Sequence, residues 1–370
     1  MTQRSEASSL PSASRGRQSA PRLPAYHHRT VARPWLPPAA MVLLFLLTAC
    51  NQAGDGRPVV DAGAAMLDAA GPAAAQINVL WWIMFGVGTL VYVIVMGYML
   101  VALFRRRSDE FDPDNRPTEG TRIVIWGGAV IPAVILVGIF GVTVFTMGAI
   151  REPQIDEDLI IEVTGHQWWW DVRYPELGFR TANEIHIPAG QPVSVKLLSD
   201  DVIHSFWVPE LHGKLDMIPG QVTEFWLQAD EPGTYLGECA EFCGIQHAKM
   251  QFLVIAQEEE QFRQWVADQQ QPAPEPTTEL TQEGLQVFLD TTCLNCHAIQ
   301  GTEATGDLGP DLTHLASRRT LAAGTIPNNR GNLGGWITAP QSIKEGSLMP
   351  PTHLTGPQLQ ALLAYLETLE

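Results

Sequence analysis

Two long apolar runs dominate the pattern of this chain. No charged residue interrupts Ile77 to Phe104 or Ile123 to Ile150, and each run is long enough to cross a hydrocarbon core of about 30 Å. Two transmembrane helices are predicted. Between them lie Arg105, Arg106, Arg107, Arg116 and Arg122, so the short connection belongs on the cytoplasmic side and everything after about residue 150 on the exported side. Trp81, Trp82 and Trp126 fall near the helix ends, where aromatic belts are expected.

Before the first run, residues 1–40 are rich in Ser, Pro and Arg without apolar periodicity, which reads as disordered. Residues 41–50, MVLLFLLTAC, are too few to span a bilayer. The small residues ahead of Cys50 resemble a bacterial lipoprotein cleavage and acylation site, so 1–50 reads as a lipoprotein-type signal region and Cys50 as the lipidated residue. Met41 is a candidate true start. Residues 51–76, rich in Ala, Gly and Asp, read as a tether to a hairpin over 77–150.

Downstream the period changes. Over 151–268, runs such as DLIIEVTGHQWWWDVRY, QPVSVKLLS, QVTEFWLQ and MQFLVIA are short, β-branched and aromatic, with Gly and Pro between them. This predicts an antiparallel β-sandwich or barrel closed by a short helix over 258–268. Residues 269–278, QQQPAPEPTT, read as an extended, semi-rigid linker. Residues 279–370 predict a small all-α domain with helices near 279–291, 311–322 and 356–369, long loops and no strands. So small a core needs something else to fill it.

Charge and cysteine usage sharpen this division. The net charge is −17, and residues 151–278 alone hold seven Lys and Arg against twenty-two Asp and Glu. Such acidity argues against a nucleic-acid partner and favours a basic one, held less tightly as salt rises. Each of the five cysteines has a separate candidate role: Cys50, Cys239 with Cys243, and Cys293 with Cys296. None is left over for a disulfide framework, although the topology is that of an exported protein.

Cys293-Leu-Asn-Cys296-His297 is the attachment pattern of a covalently bound c-type haem, with the histidine as iron ligand. A thioredoxin-like redox pair would need an α/β setting that this segment lacks. For the sixth ligand, Met349 is the one methionine in 279–370, and His314 and His353 are the rivals. Met349 before Pro350 resembles the class I cytochromes c, and a Met/His pair raises the haem potential as an electron carrier needs.

The densest chemistry lies in Cys239 to Met250, CAEFCGIQHAKM, where two thiols, an imidazole and a thioether fall within twelve residues. Soft donors of this kind select copper, zinc or an iron–sulfur centre. A further ligand must come from His166, His186, His204 or His212. A blue-copper site needs one cysteine only, which leaves the second thiol without a role; structural zinc remains open on ligand count.

Together with the runs GHQW (165–168), DVIHSF (201–206) and KLDMIPG (214–220), this stretch resembles subunit II of the haem-copper cytochrome c oxidases over residues 77–268. With the haem segment it resembles the form carrying a fused C-terminal cytochrome c. The resemblance implies a cupredoxin-like β-barrel holding binuclear copper, CuA. Cys239 and Cys243 would bridge both metals, His204 and His247 would each cap one, and Met250 and the Glu241 carbonyl would be weak outer ligands. It further implies Trp168 as the point of electron input, Asp216 in a donor-docking patch, and a magnesium ion shared with the catalytic subunit through the Glu241 side chain. His166 and His186 are read as structural. Many relatives carry a proton-path glutamate where this chain has Ile123; Glu119 lies upstream.

The expected function is that of the electron-input subunit of a terminal oxidase in a bacterial inner membrane, its metal domains on the periplasmic side. A catalytic subunit I, with subunit III, would reduce dioxygen and pump protons, since this chain lacks the residues to do so. A soluble cytochrome c or an upstream cytochrome complex would be the donor. The alternatives are the CuA subunit of a haem-copper nitric oxide reductase and a membrane-anchored carrier without an oxidase partner. A quinol oxidase subunit has no need of Cys239, Cys243 or the haem motif.

Overall fold

The structure, a computed structural model, describes residues 66–105, 118–150 and 159–370. Cys50 with its signal-like sequence, and Arg106, Arg107 and Arg116 of the helix connection, lie outside the described residues, as does the side chain of Glu119.

The first apolar run forms helix α1, Pro72–Phe104, and the second forms α2, Thr118–Ile125, continuous with α3, Ile131–Ala149. Both helices are long and apolar enough to cross a membrane. Their large side chains, Phe104, Val137 and Phe145 among them, point outward, as a helix facing lipid requires. Helix α1 begins at Pro72, inside the expected tether, because proline suits the first helical turn. Between α2 and α3 the residues Trp126–Val130, WGGAV, widen into one π-helical turn. Pro132 has no N–H to continue the regular ladder, and the widened turn absorbs the interruption.

The period-two segment folds as two packed five-stranded sheets. The strands are β1 Ile160–His166, β2 Trp169–Tyr174, β3 Phe179–Ala182, β4 Glu184–Pro188, β5 Val193–Ser199, β6 His204–Trp207, β7 Leu215–Met217, β8 Thr223–Leu227, β9 Gly233–Cys239 and β10 Gln251–Gln257. One sheet runs β3-β2-β1-β5-β8 and the other β4-β10-β9-β6-β7. The expectation of a wholly antiparallel sandwich is corrected in two places, because β1 pairs with β5, and β4 with β10, in parallel. These pairs join strands distant in sequence, which local alternation does not encode. Alternate residues of β1, β5 and β9 turn inward around Trp170, which packs on Phe252 and Phe206. Helix α4, Glu259–Gln269, closes this unit.

The C-terminal segment holds α5 Glu279–Asp290, α6 Arg330–Thr338, the short α7 Pro340–Ile343 and α8 Gly356–Leu366. Capping boxes at Thr278 and Thr355 start α5 and α8. The helix expected at 311–322 is absent, and turns stand in its place. Asp311 captures the N–H and hydroxyl of Thr313 at 2.8 and 2.6 Å, a local bond that competes with helical pairing. A small hairpin, β11 Thr320–Leu321 with β12 Ile326–Pro327, also departs from the expected all-α reading. Residues of the Pro-rich linker lie against this domain: Ala273 N donates to Gln300 O at 2.9 Å.

Candidate metal and haem sites

The stretch that carries the copper donors connects β9 to β10. Cys239 N donates to Met250 O at 3.0 Å and so closes the loop at its base. Inside it, Gly244 has φ +122 and lies under the Trp168 indole, where a Cβ would sit 2.9 Å from the ring. Only glycine meets both demands. Strand β6 pairs beside β9, Phe206 opposite Cys239, which carries His204 to the mouth of the loop.

All six expected copper donors come together. The sulfurs of Cys239 and Cys243 are 3.7 Å apart. His204 Nδ1 lies 3.9 Å from Cys239 Sγ and His247 Nδ1 3.8 Å from Cys243 Sγ. Met250 Sδ is 3.8 Å from Cys243 Sγ, and the Glu241 carbonyl 3.2 Å from Cys239 Sγ. Metal–thiolate bonds are about 2.3 Å long, so two sulfurs at this spacing can both reach one metal, and a second metal on the other side. Each imidazole stands beside a different sulfur. Two thiols and two imidazoles would already fill a single tetrahedral ion, which leaves the thioether and the carbonyl surplus; the six donors fit a pair of soft metals better.

Two sulfurs this close do not both ionise unaided. The hydrogen bond from Cys243, reinforced by His204, pulls the Cys239 thiol far down, while that same bond and burial push Cys243 up. A bound cation reverses this and takes both as thiolates.

His204, fully buried, is aimed by a residue that the sequence reading did not single out. Its Nε2 bonds Asp201 Oδ1 at 2.7 Å, which leaves Nδ1 for metal. Asp201 also accepts from Gln167 N and Val202 N, both at 2.6 Å. Burial raises the Asp201 carboxyl, but these hydrogen bonds outweigh it and hold it below its ordinary value.

The other histidines have structural partners. His186 stacks on Trp265 at 4.0 Å and bonds Gln257 Oε1 at 2.8 Å; His166 stacks on Trp169 at 4.5 Å; His212 Nδ1 bonds Gly213 O at 3.1 Å. Asp216 pairs with Lys214 at 3.1 Å, and Lys214 reaches Glu241 at 3.5 Å.

In the C-terminal domain Cys293, Cys296, His297 and Met349 all line one cleft of about 360 Å³, within the usual range for cofactor sites. His297 Nδ1 bonds Pro310 O at 2.8 Å, which frees Nε2 for iron. The rival His314 is engaged elsewhere, its ring nitrogens bonding Glu370 O and Gln271 O at 2.6 and 3.1 Å, and His353 is exposed. Phe288, Leu333, Ile337 and Leu362 make the walls apolar. Arg318 also lines the cleft, and its buried Nε has no partner among the described residues; a cofactor bearing carboxylates, as haem does, meets that need. Trp168 and Gln167 of the copper-holding domain complete the lining.

Three sequence families match in chain order. They are the transmembrane domain of cytochrome C oxidase subunit II at residues 60–146, its periplasmic domain at 179–257, and cytochrome c at 281–370. The cytochrome c oxidase subunit 2 of Alkalihalophilus pseudofirmus is 38% identical over 314 residues, which cover 82% of this chain and 90% of that one. The chain belongs to the cytochrome c oxidase subunit II family. It is also 36% identical to a quinol oxidase subunit 2 of Bacillus cereus over 222 residues, 58% of this chain and 75% of that one. The crystal structure of the periplasmic domain of subunit II of the Bradyrhizobium japonicum cytochrome oxidase shares 33% identity, covering 31% of this chain and 94% of that one, with a TM-score of 0.30.

Membership makes the two-sheet unit cupredoxin-like and the C-terminal unit a fused cytochrome c domain. It makes the chain a membrane-anchored subunit of a haem-copper oxidoreductase, paired with a catalytic subunit.

Proposed function

We propose that the chain is the electron-input subunit of its oxidase, receiving electrons at the C-terminal cleft and relaying them through the copper loop to the catalytic subunit. That subunit would reduce dioxygen to water and pump protons. One observation carries the reading: Trp168 lines the haem cleft, and its indole Nε1 donates to Cys243 O at 3.0 Å, with Gln167 Nε2 on the same carbonyl at 2.7 Å. The wall of one site is thus bonded to the ligand loop of the other.

When bound, the haem and the CuA pair each supply a one-electron couple. In this reading Cys293 and Cys296 would hold the haem covalently, and His297 and Met349 would be its iron ligands. Cys239, Cys243, His204 and His247 would hold the coppers, with Met250 and the Glu241 carbonyl as weaker donors. Trp168 receives the electron. The half-exposed Glu241 carboxylate is the group that a magnesium ion at the boundary with subunit I would recruit, in place of Lys214. The copper and haem domains lie on the periplasmic side of a bacterial inner membrane, and a soluble cytochrome c or an upstream cytochrome complex addresses the haem domain. The copper donors and the haem motif favour this over a quinol oxidase role.

The test is metal analysis and EPR of the full chain matured with copper and haem. Two coppers and one haem per chain with a mixed-valence copper signal are expected, and Cys243→Ser should destroy that signal. A single blue copper, a zinc ion, or survival of the signal in the variant would overturn the assignment.

A further inference from the structure

Lys344 is a cation in the wrong place for a solvated charge. It follows α7, is 3% exposed, and spends all three of its N–H donors on backbone carbonyls: Trp168 O at 2.6 Å, Lys249 O at 2.7 Å and Ala322 O at 3.0 Å. An ammonium has no more than three donors, so its hydrogen bonding is complete, and none of these partners is a carboxylate. Burying an ammonium costs free energy that only full satisfaction of its donors offsets.

The acceptors define what it joins. Trp168 bears the indole that bonds Cys243 O, and Lys249 immediately precedes Met250; both belong to the copper-holding domain. Ala322 belongs to the turn between β11 and β12 in the haem domain. Lys344 itself stands five residues before Met349. One side chain therefore connects the segment leading to a haem ligand with the two segments that shape the copper loop.

Neighbouring contacts point the same way. Gln246 Nε2 donates to Glu345 O at 2.7 Å and Lys249 Nζ to Ile343 O at 2.6 Å, while Gly346 lies against Ile245. Across the junction, Gln251 N donates to Ala323 O at 3.1 Å. Ala322 and Ala323 both hold positive φ, 53 and 56. Alanine adopts that conformation at a cost of about 1–3 kcal/mol and keeps it only where surrounding contacts demand it. Here those contacts are the bonds that their carbonyls accept from Lys344 and Gln251.

We propose that Lys344 is a positioning residue that fixes the haem cleft against the copper loop and so sets the separation that the electron crosses. This rests on the relay reading above. Lys344 also lines the haem cleft, but its ammonium is turned to the three carbonyls, so it acts through Trp168, the Met250 loop and the Met349 segment.

The experiment uses the full chain with both centres loaded. Lys344→Met keeps the length and removes the donors. In wild type, pulsed EPR between the oxidised copper centre and ferric haem should give one narrow distance distribution, and fast reduction of the haem should be followed by electron transfer to copper. In Lys344→Met the distribution should broaden while both optical spectra stay unchanged. Electron tunnelling weakens exponentially with separation, so the transfer should become slower and, over the broadened distances, spread over several rates. In the assembled oxidase, the KM for an external donor should hold while kcat falls. Should Lys344→Met not take up haem, Lys344→Gln is read the same way. An unchanged distribution and rate in whichever variant carries both centres overturns the proposal. Absence of haem-to-copper transfer in wild type would instead overturn the relay itself.

Discussion

Asp201→Asn tests the copper site without touching a ligand. The carboxylate serves three donors, His204 Nε2 at 2.7 Å and the backbone N–H groups of Gln167 and Val202 at 2.6 Å each. His204 and Val202 share Oδ1, and Gln167 uses Oδ2. An amide of the same shape cannot replace it in either orientation. With its oxygen toward His204, its NH₂ group faces the Gln167 N–H, donor against donor. With its NH₂ toward His204, the ring must accept at Nε2 and carry its proton on Nδ1, the nitrogen that stands 3.9 Å from Cys239 Sγ and is needed for metal. Loss of an outer-shell partner of this kind costs about 10–100-fold in metal affinity, or about 1.4–2.7 kcal/mol.

The folding cost should be smaller. The Asp201 side chain is 31% exposed, so water can meet part of the lost bonding and about 1 kcal/mol is expected. Competition for copper against a chelator of known affinity measures the first number, and thermal melts of metal-free protein the second. A variant that binds copper within about threefold of wild type and only melts earlier would reduce Asp201 to a loop cap, and the orienting role would be wrong.

Two further expectations are independent of the metals. Gly284→Ala puts a Cβ 2.1 Å from Ala361 O and 2.6 Å from Tyr365 Cβ, where α5 crosses α8; the helices must separate, at about 1–3 kcal/mol. Melts read at the haem absorption band should show it, and an unchanged midpoint would refute the close crossing. His186 is held down to about 4 by burial, against an ordinary 6.5, so the native state excludes a proton that the unfolded chain takes up. Its contribution, up to about 3 kcal/mol, is full above pH 6.5 and lost as pH falls from there toward 4. His186→Phe keeps a ring on Trp265 and should flatten the stability–pH curve over that window in denaturant titrations; parallel curves would refute the assignment.

Which parts of this molecule were legible in the sequence follows from how local their causes are. The apolar runs of the hairpin and the alternation in β1, β5 and β9 are properties of neighbouring residues, and they folded as read. The candidate donor cluster was legible for the same reason, since five of its six members sit in one closed loop, Cys239 to Met250. The parallel pairings were not legible, because they join strands that no local pattern relates. Helix α6 escaped notice because Gly334 and Gly335 weaken its propensity; what starts it is Asn329, whose side chain accepts from Asn332 N at 3.0 Å. Asp201, Arg318 and Lys344 each look like an ordinary surface charge in sequence. Their roles exist only once a second segment closes over them.

That last group bears on how two acidic domains stay together. The haem domain has four cationic side chains, Arg318, Arg319, Arg330 and Lys344, and three of them reach into the copper domain. Arg318 donates to Thr181 Oγ1 at 3.4 Å, Arg319 to Thr234 Oγ1 at 2.6 Å, and Lys344 to the two carbonyls already described. Glu184, buried in the copper domain, accepts from Arg319 N at 2.7 Å, and burial outweighs its bonds to hold its carboxyl above the ordinary range. Arg330 alone turns away, to Glu367 of its own domain. Positive charge is thus concentrated at the internal junction, where burial shields Arg318 and Lys344 from salt, and the rest of the haem domain is left to its acidic residues and Arg330. A basic external donor would meet an attractive field there as well as on the acidic copper domain. Three of the four cations therefore fasten the internal junction, and placing them there also leaves the rest of the haem domain's surface net acidic.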